Sequence, residues 1–298
     1  INNFRVRAST DLTNWTTIIN DYVPPTSNTT RTSGTFPAAF ENASTVYIEI
    51  FKVDNAGNTN NNLRIDNATL TGSVNYYSKS TGSLHLTANW GTNTDGTGTA
   101  PSNFTANGQI FNIRNNATPT ITANWAVSGT GSNVIVGDGT NACNFTVPSG
   151  FTFTGPVDVS ANGTLTLQNT TIPTIGTCAA TSTVDYGSSG NQTITAATYG
   201  HLKTSTGGTK TINSDLTVAG NLTVGASSTL TINSTTNRTV AVAGNVDVSG
   251  TYNMTNAAGG NNHAMSITGN LTVNSGATFN MTNSDDVCAV TFDKNGNQ

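Results

Sequence analysis

The sequence has 298 residues, of which 35% are hydrophobic, 9% are charged and 7% are aromatic, and its formal net charge is −4 at pH 7. Thr contributes 57 residues, Asn 42 and Gly 30, whereas Glu occurs twice. Because Thr favours strands and Asn and Gly favour turns, this composition excludes an α-rich protein. No apolar run approaches the ~20 residues of a membrane span. The eleven Lys and Arg residues form no cluster, so we expect no nucleic-acid partner.

Residues 1–72 predict a small antiparallel sandwich, or part of one. Apolar and polar residues alternate with period two in segments 4–8, 46–53 and 63–70. Loops rich in Asn and Gly, such as 54–58, separate these segments. We expect the alternating segments to be strands that bury one face.

The same region resembles the jelly-roll modules of large secreted bacterial surface proteins. The resemblance is carried, in order, by segments 9–16 (STDLTNWT), 46–50 (VYIEI) and 64–72 (RIDNATLTG). It implies a module related to carbohydrate-binding jelly rolls, which often hold a structural calcium ion. The three segments correspond to the later strands of such a module, so the resemblance implies a partial jelly roll.

Residues 73–100 form a polar, turn-rich junction that contains Tyr76, Tyr77 and Trp90. The open end of a repeat domain needs a cover, and Trp90 is our candidate for that cap. The junction resembles one that follows jelly rolls in proteins exported by the type IX secretion route. That resemblance implies an extracellular or cell-surface location, with the secretion machinery as a partner during export.

From about residue 101 the chain repeats, which predicts a three-sided parallel β-helix over residues 101–298. Segment 220–224 (GNLTV) recurs at 244–248 (GNVDV) and at 269–273 (GNLTV), so each coil spans 24–25 residues. Inward residues of such a solenoid stack from coil to coil. We therefore expect one column of Leu222, Val246 and Leu271 and a second of Leu230, Met254 and Phe279. The frame restarts at residue 296, which predicts a β-helix truncated at its C-terminal end.

Parallel β-helices include polysaccharide lyases and hydrolases, whose sites need clustered carboxylates or an Asp/Arg/Lys constellation. The coils hold mostly solitary Asp residues and no Glu between residues 131 and 292. The Gly residue that opens each repeat, at positions 155, 220, 244 and 269, sets a common count that we call the Gly frame. In this frame Asp158 and Asp247 occupy the outward slot that Thr223 and Thr272 fill in other coils. A slot shared with Thr is a surface slot, so we expect no catalytic residue and no enzyme activity.

The sequence predicts no cofactor apart from a candidate structural calcium ion. The three His residues lie far apart along the chain, and no Cys or His pair has the spacing of metal ligands. Asp54, Asn55, Asn58 and Asp66 could line a calcium loop in the first module. The alternative for these four residues is that their side chains cap tight turns.

Two further pairs of residues are candidates for a disulfide and for sugar contact. Cys143 and Cys178 lie about a coil and a half apart, and an exported protein would tend to oxidise such a pair. The predicted role of Cys288 is that of a small buried side chain. Trp15 and Tyr47 are candidate glycan contacts, since sugar sites commonly use aromatic faces.

These observations favour a non-enzymatic structural or adhesive segment of a large exported bacterial surface protein, either an adhesin or the stalk of a surface fibre. Its expected partners are glycans, other surface proteins or further copies of itself. One alternative is a polysaccharide-binding or polysaccharide-degrading protein whose active module lies elsewhere. Another alternative is an ice-binding solenoid, because Thr-x-Thr occurs at residues 164–166, 209–211 and 229–231. The Gly frame predicts a mixed Thr/Asn ladder there, which argues against a flat Thr array.

Overall fold

The computed structural model describes residues 3–22, 40, 46–53, 72–116, 118–254, 260–283 and 286–293. The chain divides into two compact units, Ile1–Gly72 and Ser73–Gln298. In the described part of both units, the regular secondary structure is almost entirely β-strand. An all-β protein with a parallel β-helix is therefore confirmed.

The first unit contains an antiparallel sheet of three strands. These are β1 (Asn3–Ser9), β2 (Thr16–Tyr22) and β3 (Tyr47–Val53), arranged in the order β2-β1-β3. The register between β1 and β2 shifts twice, between Phe4 and Arg7, which marks a bulge. This antiparallel sheet is consistent with the jelly-roll interpretation, and the predicted strand at 63–70 lies outside the described residues.

The second unit is a parallel β-helix of about eight turns, and a 3₁₀ turn at Thr87–Asn89 precedes its second strand. Its strands in chain order are β4 (Val74–Ser78), β5 (Trp90–Gly91), β6 (Gln109–Ile113), β7 (Trp125–Ala126), β8 (Asn133–Val136), β9 (Cys143–Val147), β10 (Phe153–Thr154), β11 (Pro156–Val159), β12 (Gly163–Leu167), β13 (Thr174–Cys178), β14 (Thr183–Tyr186), β15 (Gln192–Thr193), β16 (Thr198–Tyr199), β17 (His201–Thr204), β18 (Thr209–Ile212), β19 (Leu216–Val218), β20 (Leu222–Val224), β21 (Thr229–Ile232), β22 (Thr239–Val242), β23 (Val246–Val248), β24 (Thr251–Met254), β25 (Asn262–Ile267), β26 (Leu271–Val273), β27 (Thr278–Asn280), β28 (Thr282–Asn283) and β29 (Asp286–Phe292).

Three faces surround the interior of the β-helix. The first face carries the sheet β5-β4-β6-β8-β11-β13 and then the sheet β16-β19-β22-β25-β29-β28. The second face is one sheet, in the order β9-β12-β14-β17-β20-β23-β26. The third face carries the short pair β7-β10 and then the sheet β15-β18-β21-β24-β27. Every coil thus pairs with the coils before and after it, as a solenoid requires.

One of the two predicted apolar columns is confirmed and the other is wrong in one member. Leu222, Val246 and Leu271 stack in register on the second face. On the third face Leu230 is followed by Tyr252 and then by Phe279, whereas Met254 stacks on Ile232. The corner between β23 and β24 is two residues shorter than the corner between β20 and β21. A count of ten residues from the Gly of each repeat therefore reaches Met254 instead of Tyr252 on this face.

The core is a continuous column of buried apolar side chains, and it begins with an aromatic cluster. Trp90 is fully buried and donates its indole N–H to the carbonyl of Leu84 at 2.8 Å. Its ring lies 5.1 Å from Phe111 and 5.7 Å from Trp125 between centroids. β5 pairs antiparallel with β4 as the terminal strand of its sheet, so Trp90 packs at the N-terminal end of the β-helix core.

Candidate functional site

A ladder of Asn side chains runs along one corner of the β-helix, directly before the strands of the second face. The Oδ1 atom of Asn221 accepts a hydrogen bond from the backbone N–H of Asn245 at 2.9 Å, and Asn245 accepts one from Asn270 at the same distance. His201 begins the ladder, because its Nδ1 accepts from the N–H of Asn221 at 2.8 Å. Each side chain thereby satisfies a backbone donor at a turn, where the strand ladder is interrupted.

The Gly that precedes each Asn is required by close packing between coils. A Cβ atom on Gly244 would overlap the carbonyl oxygen of Gly220 and the Oδ1 of Asn221. A Cβ atom on Gly269 would overlap the corresponding atoms of Gly244 and Asn245. The repeated Gly-Asn pair therefore has a structural role: Gly allows the close approach of the coils, and Asn accepts the backbone N–H. The repeat is visible in the sequence, but this role is not.

Asp158 lies on the first face and not in the column of Thr223, so its predicted slot is wrong. It pairs with Ile135 of β8, and the frame failed because Gly155 precedes a strand of the first face whereas Gly220 precedes one of the second. A register shift in β13 exposes the N–H of Thr177, which donates to Asp158 Oδ1 at 2.6 Å. Asn133 donates to the other carboxylate oxygen. Both oxygens of Asp158 are therefore used within the fold.

Asp247 does lie in the predicted outward column of the second face. In register this column is Thr146, Thr166, Asp185, Lys203, Thr223, Asp247 and Thr272. Asp247 accepts from Asn274 Nδ2 at 2.7 Å. Asp185, two coils earlier than Thr223, accepts from Ser205 Oγ at 2.9 Å and lies 3.3 Å from Lys203 Nζ. The two carboxylates are three coils apart, about 14 Å at one strand spacing per coil, which is too far for a shared acid-base role.

Two further Asp residues of the coils also bind backbone amides. Asp138 accepts from the N–H groups of Thr140 and Asn141, both at 2.8 Å, and these bonds lower its pKa to about 2. Asp215 accepts from the N–H of Thr239, one coil later, at 3.0 Å. Hydrogen bonds to the ionised form stabilise a carboxylate, so Asp138 stays ionised near neutral pH.

Each of the three His residues uses Nδ1 within the fold. His263 is buried, and its Nδ1 accepts from the backbone N–H of Arg238 at 3.0 Å. His85 Nδ1 lies 2.8 Å from Ser83 Oγ. Within the described ranges, no group of three or more His, Cys, Asp or Glu side chains is placed to share a metal ion. The candidate calcium ligands Asp54, Asn55, Asn58 and Asp66 lie outside the described residues.

The predicted disulfide between Cys143 and Cys178 is not formed, and both residues are free thiols, as is Cys288. Cys143 is level with Gly163 on the second face, whereas Cys178 is level with Val159 on the first. Because Cys178 precedes β14, which lies two coils beyond β9, it is between one and two coils (~4.8–9.6 Å) along the axis from Cys143 and on a different face. Burial raises the pKa of each of the three thiols to about 11.

The glycan candidates Trp15 and Tyr47 flank the strand β1 on the first unit's sheet. Tyr47 pairs with Ser9 and is 39% exposed, and Trp15 directly precedes β2. The guanidinium of Arg7 lies 4.8 Å from the centre of the Trp15 ring and also pairs with Glu49. One side of the Trp15 ring is therefore already covered by Arg7, which leaves Tyr47 as the more open aromatic side chain.

The outward Thr residues of the third face are more regular than the sequence predicted. Thr209, Thr229, Thr251 and Thr278 stand in register on four successive coils. The neighbouring column holds Thr211, Thr231, Asn253 and Asn280. The Gly frame places Asn253 level with Thr229, but the structure places it level with Thr231, for the same reason as the Met254 column. One column is thus pure Thr, although Thr231 beside it is only 1% exposed.

Lys210 is a buried cation that no sequence pattern predicts. It occupies the inward column that Leu230, Tyr252 and Phe279 continue. Its Nζ donates to the carbonyls of Ser188 and Gly207 at 2.6 Å each and of Gly190 at 3.1 Å. Burial lowers its pKa to about 8, against the opposing attraction of Asp185. The ammonium therefore joins two turns of adjacent coils.

Neither sequence nor structure comparison identifies a relative of this chain. Protein-family models, curated proteins and solved structures gave no match to the chain. In the described part of the chain, no helix has the length and apolar character needed to cross a membrane.

Proposed function

We propose that this chain is a non-enzymatic structural and adhesive segment of an exported bacterial surface protein. In this proposal the β-helix is a stalk, and its polar outer faces contact glycans or neighbouring surface proteins. Export by the type IX route, as the junction resemblance implies, would place the chain outside the cell. The N-terminal sheet would then be the remaining part of a carbohydrate-binding-like module.

Support for a stalk comes from the way successive coils are joined. Strand ladders on three faces are supplemented at the corners by side-chain bonds such as those of Asn221 and Asn245. A solenoid with this bonding is extended by adding coils, because each coil interacts only with its neighbours. These properties suit a stiff spacer between a cell and its surroundings.

The observation that carries the non-enzymatic part is the use of the coil carboxylates. Asp138, Asp158, Asp185, Asp215 and Asp247 each accept hydrogen bonds from backbone or side-chain groups of the fold. A glycosidase needs two carboxylates within about 10 Å of each other, one of them holding a proton near neutral pH. Outward Thr and Asn side chains instead offer many weak contacts over a wide surface.

The experiment that tests this proposal separates retention from turnover. Beads that carry the purified chain are incubated with cellulose, chitin, xylan and mannan, and both bead retention and new reducing ends are measured. We expect retention on at least one polysaccharide without release of reducing ends. Release that disappears in Asp158→Asn or Asp247→Asn would show an enzyme, and absence of retention on all four would remove the glycan-adhesive part.

A second candidate, ice binding, is favoured by the pure Thr column of the third face. Thr209, Thr229, Thr251 and Thr278 repeat at the coil spacing of about 4.8 Å. Such a regular row of hydroxyl and methyl groups could order water. An ice-recrystallisation assay decides the matter, with Thr229→Lys/Thr251→Lys against the matched surface change Asn233→Lys. Inhibition of recrystallisation that the first pair abolishes would favour ice binding, and no inhibition would reject it.

A further inference from the structure

The third face of the β-helix is interrupted between β10 and β15, and a groove lies beside β15 at this interruption. The coil that contains β11 and β12 contributes no strand to this face, so β15 is the first strand of its sheet. The groove has a volume of about 560 Å³. It is lined by residues 170, 172, 191–196, 211, 213 and 214.

The lining of this groove is neutral and offers polar groups above an apolar floor. Ile194, which is 2% exposed, and Ile172 supply the apolar part, and none of the lining residues is charged. Among the described residues, the side chains of Thr193, Asn213 and Ser214 form no hydrogen bond with the rest of the protein. Their hydroxyl and amide groups are therefore available to a ligand.

The segment that forms one wall of the groove is held in place by buried polar contacts. Gln192 donates from Nε2 to the carbonyls of Leu167 and Asn169, at 2.9 and 2.8 Å. The hydroxyl of Tyr186 accepts from the N–H of Thr195 at 3.1 Å and lies 2.8 Å from the hydroxyl of Tyr199. Lys210 holds the preceding turn. A groove that is fixed in this way pays little ordering cost when a ligand binds.

We propose that this groove binds a neutral oligosaccharide. A sugar chain presents hydroxyl groups that suit Thr193, Asn213 and Ser214, and C–H surfaces that suit the half-buried Ile172. The volume lies within the ~300–1,000 Å³ of ordinary ligand sites. A peptide added to the edge of β15 is disfavoured, because β15 pairs over only two residues, Gln192 and Thr193. The inference rests on the proposed adhesive function and assigns it a second site, apart from Trp15 and Tyr47.

The test measures binding of four neutral hexasaccharides to the full chain by saturation-transfer NMR and titration. The probes are cellohexaose, laminarihexaose, mannohexaose and maltohexaose, with hexagalacturonate as the anionic comparison. Two variants alter the groove: Asn213→Ala/Ser214→Ala removes polar groups, and Thr193→Glu adds a charge. The control, Ser227→Ala/Asn233→Ala, changes two exposed side chains outside the groove. Circular dichroism checks that each variant is folded.

We expect at least one neutral hexasaccharide to bind, hexagalacturonate to bind more weakly, and both groove variants to weaken binding at least tenfold while the control does not. Binding that the groove variants leave unchanged would overturn the groove as the site, and bead retention would then still support adhesion through another surface. Absence of binding by all four neutral probes would also overturn the proposal. Because bead retention is measured separately, this result would not by itself reject the adhesive function.

Discussion

Asn245 binds the coils on both sides of it through one corner of the β-helix. Its backbone N–H donates to the Oδ1 of Asn221, 24 residues earlier, and its own Oδ1 accepts from the N–H of Asn270, 25 residues later, each at 2.9 Å. A single residue type thus supplies at the turn what the strand ladders supply on the faces. The Gly-Asn repeat in the sequence corresponds to this ladder of hydrogen bonds.

Asn245→Ala should lower the free energy of unfolding by about 1 kcal/mol, because the N–H of Asn270 loses its acceptor. Asn245→Asp should retain most of the stability, since Asp215 already performs the same role toward Thr239. Denaturant unfolding followed by circular dichroism measures both. Equal losses for the Ala and Asp variants would contradict the assigned hydrogen bond, and Asn233→Ala serves as the surface control.

Gly244→Ala should destabilise the β-helix by about 1–3 kcal/mol, the usual cost of overpacking, because the added methyl group overlaps the preceding coil. Gly150→Ala is the matched control, since a Cβ atom there meets nothing within 4 Å. Thermal midpoints of the two variants should therefore differ clearly. If both variants melt together with the unchanged chain, the close approach of the coils at residue 244 is wrong.

The β-helix could be predicted from the sequence because its second face repeats strictly. Leu222, Val246 and Leu271 keep spacings of 24 and 25 residues, so the period identifies the coil. The third face follows a different count, with 22 residues from Leu230 to Tyr252 and 27 from Tyr252 to Phe279. Corners absorb these differences, so a frame set on one face does not carry over to another.

The contacts of the candidate site residues could not be predicted from the sequence, because they depend on single backbone contacts. The bulge that presents Thr177 to Asp158 is a local register shift with no pattern in the sequence. Lys210 lies inside because three carbonyls from two turns meet there, which residue spacing does not reveal. The Asn ladder, in contrast, had a signal: Asn follows Gly at the same corner in three successive coils.

Acidification should weaken the C-terminal coils through His263. Burial lowers the pKa of His263 below 6.5, with Arg238 adding to the effect and Asp286 opposing it. The unfolded chain therefore binds more protons than the folded chain as the pH falls below 6.5. The stability that depends on neutral His263 is complete above pH 6.5 and is lost as the pH falls through the folded-state pKa. Protonation of Nδ1 would also remove the acceptor of the Arg238 N–H.

The measurement is the unfolding free energy between pH 7.5 and pH 5 for the unchanged chain and for His263→Asn. The Asn oxygen can accept from the Arg238 N–H without titrating, so the pH dependence should become shallower in this variant even if its stability at pH 7.5 is lower. His85→Asn is the control for a half-buried imidazole. An unchanged slope in His263→Asn would exclude His263 as the source of acid sensitivity.

Lys210→Met should lower stability by about 1–3 kcal/mol, because the carbonyls of Ser188, Gly190 and Gly207 lose a buried donor. Lys79→Met removes an exposed ammonium and should be nearly neutral. Hydrogen exchange of the turns at 187–191 and 205–208 locates the effect. Protection of these turns that stays the same in Lys210→Met would mean that the ammonium does not hold them.

Thiol labelling checks the absence of the predicted disulfide. In denaturant without reductant, intact mass should show three alkylated Cys residues, because Cys143, Cys178 and Cys288 are free. In the folded chain the reaction at pH 8 should be slow, since burial raises each pKa to about 11 and the thiolate is the reactive form. A mass that reports one alkylated thiol would contradict the three free thiols, and peptide mapping would then show whether the bridge is the predicted Cys143–Cys178 pair.

The unequal corners imply that this chain tolerates insertion and deletion at the corners between the second and third faces far better than within its strands. Residues 225–228 form the longer corner before β21, and deletion of two of them reproduces the length of the corner before β24. A foreign loop placed at residues 226–227 would project from the surface while the flanking ladders remain in register. New recognition segments could thus be acquired or exchanged over evolutionary time without rebuilding the interior.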